Sequence, residues 1–230
     1  MHDLRYAFRT LVKTPWLSLV IVLSLTAGIG ANATVFSWLN DAVFRPLPGV
    51  TTDLVAIEAR NAGGVYCGSS WFEYRDLVER LPSFAGLAAQ RPRTFYLGDT
   101  ERGERVCGEF VSANFFGVLG VQPALGRFFL PAEAASPGGA PVAVISHGFW
   151  QRLFRGAPDA IGRTIKLNGR TLTVIGIAPA GFAGGFNALG FDVWVPLTMA
   201  SELIPATRDL IARDSRGFIL LAARKPGVTH

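Results

Sequence analysis

The sequence predicts an α+β protein that follows a single N-terminal transmembrane helix. Three observations carry this expectation. No charged residue lies between Lys13 and Asp41. The rest of the chain mixes short β-forming runs with short amphipathic helical runs, punctuated by Gly and Pro. Asn168-Gly169 stands between two alternating runs, a strong hairpin signal.

From Trp16 to Trp38 the chain reads WLSLVIVLSLTAGIGANATVFSW. As a helix, this stretch of roughly 23 residues spans about 35 Å, against a bilayer core of about 30 Å. A transmembrane helix is therefore expected over residues 15–44. Arg5, Arg9 and Lys13 precede it and stack on one helical face, so residues 1–14 read as an interfacial amphipathic helix on the cytoplasmic side. Arg45 is the nearby base after the span, which puts the main domain outside the cytoplasm. A cleaved signal peptide is the rival reading. Its apolar core would be shorter, whereas Val35, Phe36, Trp38 and Leu39 continue this one past the small residues Ala31 and Ala33.

Gly28-Ile29-Gly30-Ala31-Asn32-Ala33 also fits the dinucleotide fingerprint G-x-G-x-x-G/A. The preceding run is too long for a strand and the following residues stay apolar, so the fingerprint lacks its βαβ context. Gly28, Gly30 and Ala33 read instead as a face for close packing against another membrane helix.

The chain has 230 residues and a net charge of +5. About 185 residues remain after the span, enough for one or two packed domains. The bases beyond the N-terminal patch (Arg91, Arg93, Arg152, Arg155, Arg163, Arg170) are scattered, without a basic stripe interleaved with aromatics, so nucleic acid is not an expected partner. Membrane lipid is. Cys67 and Cys107 are the two cysteines, both in the outer part. A disulfide closing a loop of roughly 40 residues would stabilise by about 4 kcal/mol; two unpaired buried thiols are the alternative.

The outer part reads in order as follows. Arg45-Pro46-Leu47-Pro48-Gly49 ends the membrane helix. Asp53 to Arg60 alternates as a strand. Ser70 and Glu73 have capping-box spacing, so a helix starts at Ser70 and turns Trp71, Tyr74, Val78 and Leu81 to a core. Pro82 interrupts, and Phe84 to Ala89 adds a further helical turn. Strands follow at Arg93 to Leu97 and Arg105 to Val111. Ser112 caps a short helix holding Phe115, Phe116 and Leu119, which Gly120 ends. Pro131 to Pro141 is a loop or subdomain boundary. Val142 to Ile145 is a buried strand, and Ser146 caps a helix carrying Phe149, Trp150, Leu153 and Phe154, ended by Gly156. In the hairpin around Asn168-Gly169, Ile165, Leu167, Leu172 and Val174 share one face. Asp192 to Leu197 and Gly217 to Arg224 are the remaining strands.

Catalytic, metal and cofactor-binding residues are not expected. The histidines are His2, His147 and His230, and His147 stands at a helix start where a capping or surface role is the ordinary one. No G-x-S-x-G, H-E-x-x-H or Walker-type run occurs, and Asp159, Asp192 and Asp214 are isolated. Zinc would need Cys-x-x-Cys or clustered histidines.

Four ordered blocks carry a resemblance. Gly28 to Ser37 with Arg45-Pro46-Leu47-Pro48 is the first. Val111 to Arg127 (VSANFFGVLGVQPALGR) is the second. Val142 to Phe154, with Ile161 to Ile165 and Val174 to Pro179, is the third. Asp192 to Leu197 (DVWVPL) is the fourth. The chain resembles the MacB/FtsX-like ABC transporter permeases that carry a MacB-like periplasmic core domain. The resemblance implies a porter-like α/β piece over 45–122, an inserted β-rich Sabre-like piece over 123–213 and a return strand over 214–230. It also implies that the porter piece and three further membrane helices continue beyond residue 230, so that the chain reads as an N-terminal portion. The implied activity is non-catalytic: a permease subunit whose periplasmic domain couples a separate cytoplasmic ABC ATPase to substrate or partner handling outside the bacterial inner membrane. Implied partners are that ATPase, a second permease copy or further permease helices, and a periplasmic adaptor. The readings from other classes are a single-span periplasmic binding or scaffold protein and, last, an anchored enzyme.

Overall fold

The computed structural model describes residues 15–43, 47–61, 63–80, 84–99, 103–134, 136, 138–186, 189–204 and 216–225. The chain divides into two compact units, Met1–Arg45 and Pro46–His230. The first holds α1 (Pro15–Val43), a helix of 29 residues. At ~1.5 Å rise per residue its length is about 43 Å. Trp16, Leu17, Ile29, Val35, Phe36 and Trp38 are all exposed on it, and Thr34 satisfies its own hydroxyl by donating to the Gly30 carbonyl at 2.8 Å.

The second unit is a mixed sheet with short helices on it. The strands are β1 (Leu54–Ile57), β2 (Ser69–Ser70), β3 (Phe84–Leu97), β4 (Glu104–Val111), β5 (Leu125–Gly126), β6 (Val142–Ile145), β7 (Thr164–Leu167), β8 (Arg170–Ile177), β9 (Val193–Pro196) and β10 (Arg216–Arg224). The helices are α2 (Trp71–Arg80), α3 (Phe115–Leu119), α4 (His147–Phe154) and α5 (Ala200–Leu203). The sheet order is β1-β10-β3-β4-β9-β6-β8-β5, with β2 on β10 and β7 joining β8 to β3. The β4–β9 and β6–β8 pairs are parallel and the others antiparallel. Leu97 of β3 pairs with Leu167 of β7, so β3, β4, β9, β6, β8 and β7 close a ring.

One face of all six ring strands feeds a single core: Phe95, Phe110, Val193, Val195, Ile145, Leu172, Val174, Ile165 and Leu167, with Phe149 of α4. The opposite face forms a second core. There Val111, Val144, Ile175 and Trp194 pack with Phe115, Phe116 and Leu119 of α3 and with Phe129, Phe182 and Phe191. The central strands are therefore apolar on both faces, which is why their runs look continuous rather than alternating.

Local chemistry explains the boundaries. The Ser70 hydroxyl accepts from the Glu73 N–H at 3.1 Å, and the Glu73 carboxylate accepts from the Ser70 N–H at 2.8 Å. This reciprocal pair starts α2. Ser146 accepts from the Phe149 N–H at 3.0 Å and starts α4. Asn168 (φ 48°) and Gly169 (φ 78°) are both left-handed, as a type I′ turn requires, and Ile165, Leu167, Leu172 and Val174 are all buried.

Four expectations are corrected. Phe84 to Ala89 is not a helical turn but the first half of the 14-residue β3. This half pairs with β10, while β4 pairs with β3 from Gln90 onward, and Ala88 and Ala89 are buried on opposite faces. Pro92 is tolerated because, among the described residues, β10 pairs β3 only as far as Gln90 and β7 meets it at Leu97. Ser112 does not cap α3. Its hydroxyl accepts from the Ala89 N–H at 3.0 Å and donates to Asn114 at 2.8 Å. Val78 is exposed, while Tyr74 is buried and Trp71 and Leu77 pack on the core. The strand expected over Asp53 to Arg60 contracts to β1 and one bridge from Arg60 to Tyr66. Leu81 and Pro82 lie outside the described residues.

Candidate functional site: an apolar helix, and a groove beside a buried carboxyl

Two features stand out chemically. The first is α1. Its apolar window, Pro15–Asn40, has none of its residues buried. A Cβ added at Gly28 or Gly30 would meet nothing within 4 Å, and Ala33 is exposed beside them. The helix is long and apolar enough to cross a bilayer, with Trp16 and Trp38 at positions where interfacial tryptophans usually sit. Arg5, Arg9, Lys13 and Arg45 lie outside the described residues.

The second lies on the outer domain, where β3 and β4 run side by side. Pro92, Arg93 and Thr94 of β3, Cys107 of β4, and Leu189, Gly190 and Phe191 line a groove of about 320 Å³. Two residues along β4 from Cys107, on the same face, stands Glu109. It is fully buried, and the Trp194 indole N–H donates to its Oε2 at 2.8 Å. The Gly185 N–H is a second donor to this carboxyl. Burial nevertheless dominates and pushes the Glu109 pKa up to about 8, so the side chain is mostly neutral at pH 7. Its Oε1 has no partner, and neither polar atom of the buried Gln90 side chain has one.

The backbone over this cluster needs glycine. A Cβ at Gly184 would lie 3.0 Å from Glu109 Oε2 and closer still to the Phe191 ring, and a Cβ at Gly185 would collide with the Gln90 amide. Phe116 and Phe182 pack on the Trp194 ring at centroid distances of 5.6 and 5.3 Å. The Phe191 N–H donates to the Ala183 carbonyl at 3.0 Å, which ties the ends of this segment together.

The two cysteines are not joined: both are free thiols. The Arg216 guanidinium donates to Cys67 Sγ at 3.2 Å, and Arg216 also pairs with Glu73 at 2.6 Å. Cys107 is exposed and lines the groove. His147 meets the Trp150 ring edge-on, and Asp192 is held by Arg152 at 3.2 Å. Among the described residues no group of three or more His, Cys, Asp or Glu side chains could hold a metal.

Glu109, Gln90 and Gly184-Gly185 escaped the sequence reading. The signal was there in part: Glu109 shares the alternation phase of Val111, an apolar position in the run RVCGEFV. Nothing local marks Gln90, because its partner segment lies far along the chain.

The outer domain has the fold of two solved extracytoplasmic domains. The periplasmic region of MacB from Actinobacillus actinomycetemcomitans superposes with a TM-score of 0.57, covering 79% of this chain and 78% of that one at 13% identity. The extracellular domain of the noncanonic ABC-type transporter YknZ from Gram-positive bacteria superposes at 0.50, covering 76% and 84% at 13% identity. In sequence, the macrolide export ATP-binding/permease protein MacB of Burkholderia thailandensis is 26% identical over 218 residues, 90% of this chain. The chain spans only 32% of that relative's length. The family model of the MacB-like periplasmic core domain matches residues 18–228. The chain belongs to that family, a component of ABC-type transporter permeases.

Proposed function

We propose that this chain is the membrane-anchored N-terminal part of an ABC-type permease, with α1 crossing the bacterial inner membrane and residues 45–230 on the periplasmic side. The observation that carries the reading is continuity: the family match begins inside α1, at residue 18, and runs to residue 228. One uninterrupted family match thus covers residues of both units, a helix with no buried residue in its apolar window and a folded domain. In this reading Arg5, Arg9 and Lys13 hold the N-terminus at anionic headgroups. Gly28, Gly30 and Ala33 pack against another membrane helix, in a second copy or elsewhere in the permease.

Residues 45–122 with the strand in 214–230 act as the porter-like piece, and 123–213 as the Sabre-like insertion. In support, β10 pairs with β1 and β3, both from the first piece. The continuous β4–β9 pairing would pass motion between the pieces as a rigid unit. The work comes from a separate cytoplasmic ABC ATPase, and this chain transmits it rather than catalysing a reaction. A periplasmic adaptor is a further partner in this scheme.

The test is affinity purification of the protein from its own membranes in mild detergent. Recovery of an ABC ATPase, released or retained according to added nucleotide, is the expected result. Recovery of an intact membrane-bound protein with no ABC ATPase under any nucleotide condition contradicts the coupling role.

A further inference from the structure

We infer that Glu109 is a proton-controlled latch on the segment Phe182 to Phe186: neutral, it holds the segment down on the sheet, and ionised, it lets the segment lift and uncover the second core face. The inference goes beyond the transport reading and does not depend on it.

The geometry is specific. Glu109 and Gln90 are fully buried on the face of β3, β4 and β9 that carries Trp194, and they leave three polar atoms without partners beneath Gly184-Gly185. A carboxyl with an unpartnered oxygen in such a place tolerates a proton on that oxygen far better than a charge. The two hydrogen bonds it receives, from Trp194 and the Gly185 N–H, do not offset its burial. The covering segment is itself the part that must move. Gly184 is left-handed at φ 113° and, like Gly185, has no side chain to anchor it.

Charged groups on the surrounding elements do not compensate. On β3, Arg91 sits over the Phe218 ring and Arg93 bonds the Pro92 carbonyl. Ahead of β9, Asp192 is paired with Arg152 of α4. The packed helix α3 carries no charge, and the other titratable groups on the same face of β4 are the exposed thiol of Cys107 and, four residues from Glu109, the solvent-exposed Arg105. Burial and two hydrogen bonds are the resolved influences on Glu109.

The direction follows from linkage. Lifting the segment returns Glu109 to water, where its pKa is near the usual carboxylate value. Between that value and about 8, each pH unit multiplies the lifted population by about 10, and the rise levels off above.

Hydrogen exchange of the full chain in detergent micelles, followed by mass spectrometry from pH 6 to 9, reads this out. After correction for intrinsic chemistry, exchange of the amides in 182–186 is expected to rise about tenfold per unit between pH 6 and 7. Amides of β6 in the same sample stay flat. Glu109→Gln removes the dependence and keeps the segment protected at every pH. Trp194→Phe, which deletes a donor to the ionised form, moves the plateau to higher pH. A wild-type segment whose corrected exchange is independent of pH overturns the inference. So does a pH dependence that persists in Glu109→Gln, or a plateau that stays fixed in Trp194→Phe.

Discussion

Leu97 and Leu167 form the register pair that joins β3 to β7. Their strands are far apart in sequence, and this contact turns a run of paired strands into a closed ring. The Gly98 N–H adds a hydrogen bond to the Lys166 carbonyl at 2.8 Å, and the Asn168 N–H one to the Tyr96 carbonyl at 2.8 Å. Leu167 is fully buried in the ring core. Leu167→Ala is therefore expected to destabilise the outer domain by about 2–5 kcal/mol. A lowered urea midpoint measures it. A change below about 0.5 kcal/mol would mean that the site collapses without cost and that the closure is incidental.

The turn that positions Leu167 does more than reverse the chain. The Asn168 side chain accepts from the Tyr96 N–H at 2.7 Å and donates to the Leu203 carbonyl at 3.0 Å. It thus ties the hairpin to β3 and to α5. Asn168→Ala loses both bonds and the tolerance for positive φ, at a cost of about 1–3 kcal/mol. Asn168→Gly keeps the backbone freedom and is expected to recover part of that loss. Thermal unfolding of the two variants separates turn geometry from side-chain bonding. An Asn168→Gly midpoint equal to that of the wild-type protein would deny the side chain its role.

Much of this architecture was legible in the residues, and the failures have physical causes. Ser70 with Glu73, Ser146, and Asn168-Gly169 work locally, through side chains that bond to backbone three residues away or through φ angles that few residues adopt. Such signals survive in a sequence. Phe84 to Ala89 misled because its strand character lies in its pairing with β10, and Leu87, Ala88 and Ala89 are buried in succession, so the segment shows no alternation of its own. Ser112 misled for a related reason: its spacing suits a cap, but the Ala89 N–H on the neighbouring strand claims the hydroxyl. The Glu109 cluster was invisible because β3, β4, β9 and a glycine segment supply one group each. Only the fold assembles them.

Glu109 also gives the domain a pH-dependent stability of definite sign. Its pKa is raised in the folded state, so the folded form binds the proton more tightly than the unfolded form. The resulting stabilisation is fully present below about pH 4.5 and is lost as pH rises through about 8. At full ionisation the loss is on the order of 5 kcal/mol. Denaturation midpoints of the wild-type protein are expected to fall from pH 6 to 9 relative to those of Glu109→Gln. Parallel curves for the two proteins would place the carboxyl in a polar or hydrated setting instead.

The central claim is that the folded domain lies across a membrane from the N-terminus, and Cys107 offers the most direct measurement. It is exposed in the groove. In a Cys67→Ser background it becomes the sole thiol, since the sequence has 2 cysteines. A membrane-impermeant maleimide applied to intact spheroplasts is expected to label Cys107 to the same extent as in lysed membranes. Labelling that appears only after lysis would put the domain in the cytoplasm and contradict the account.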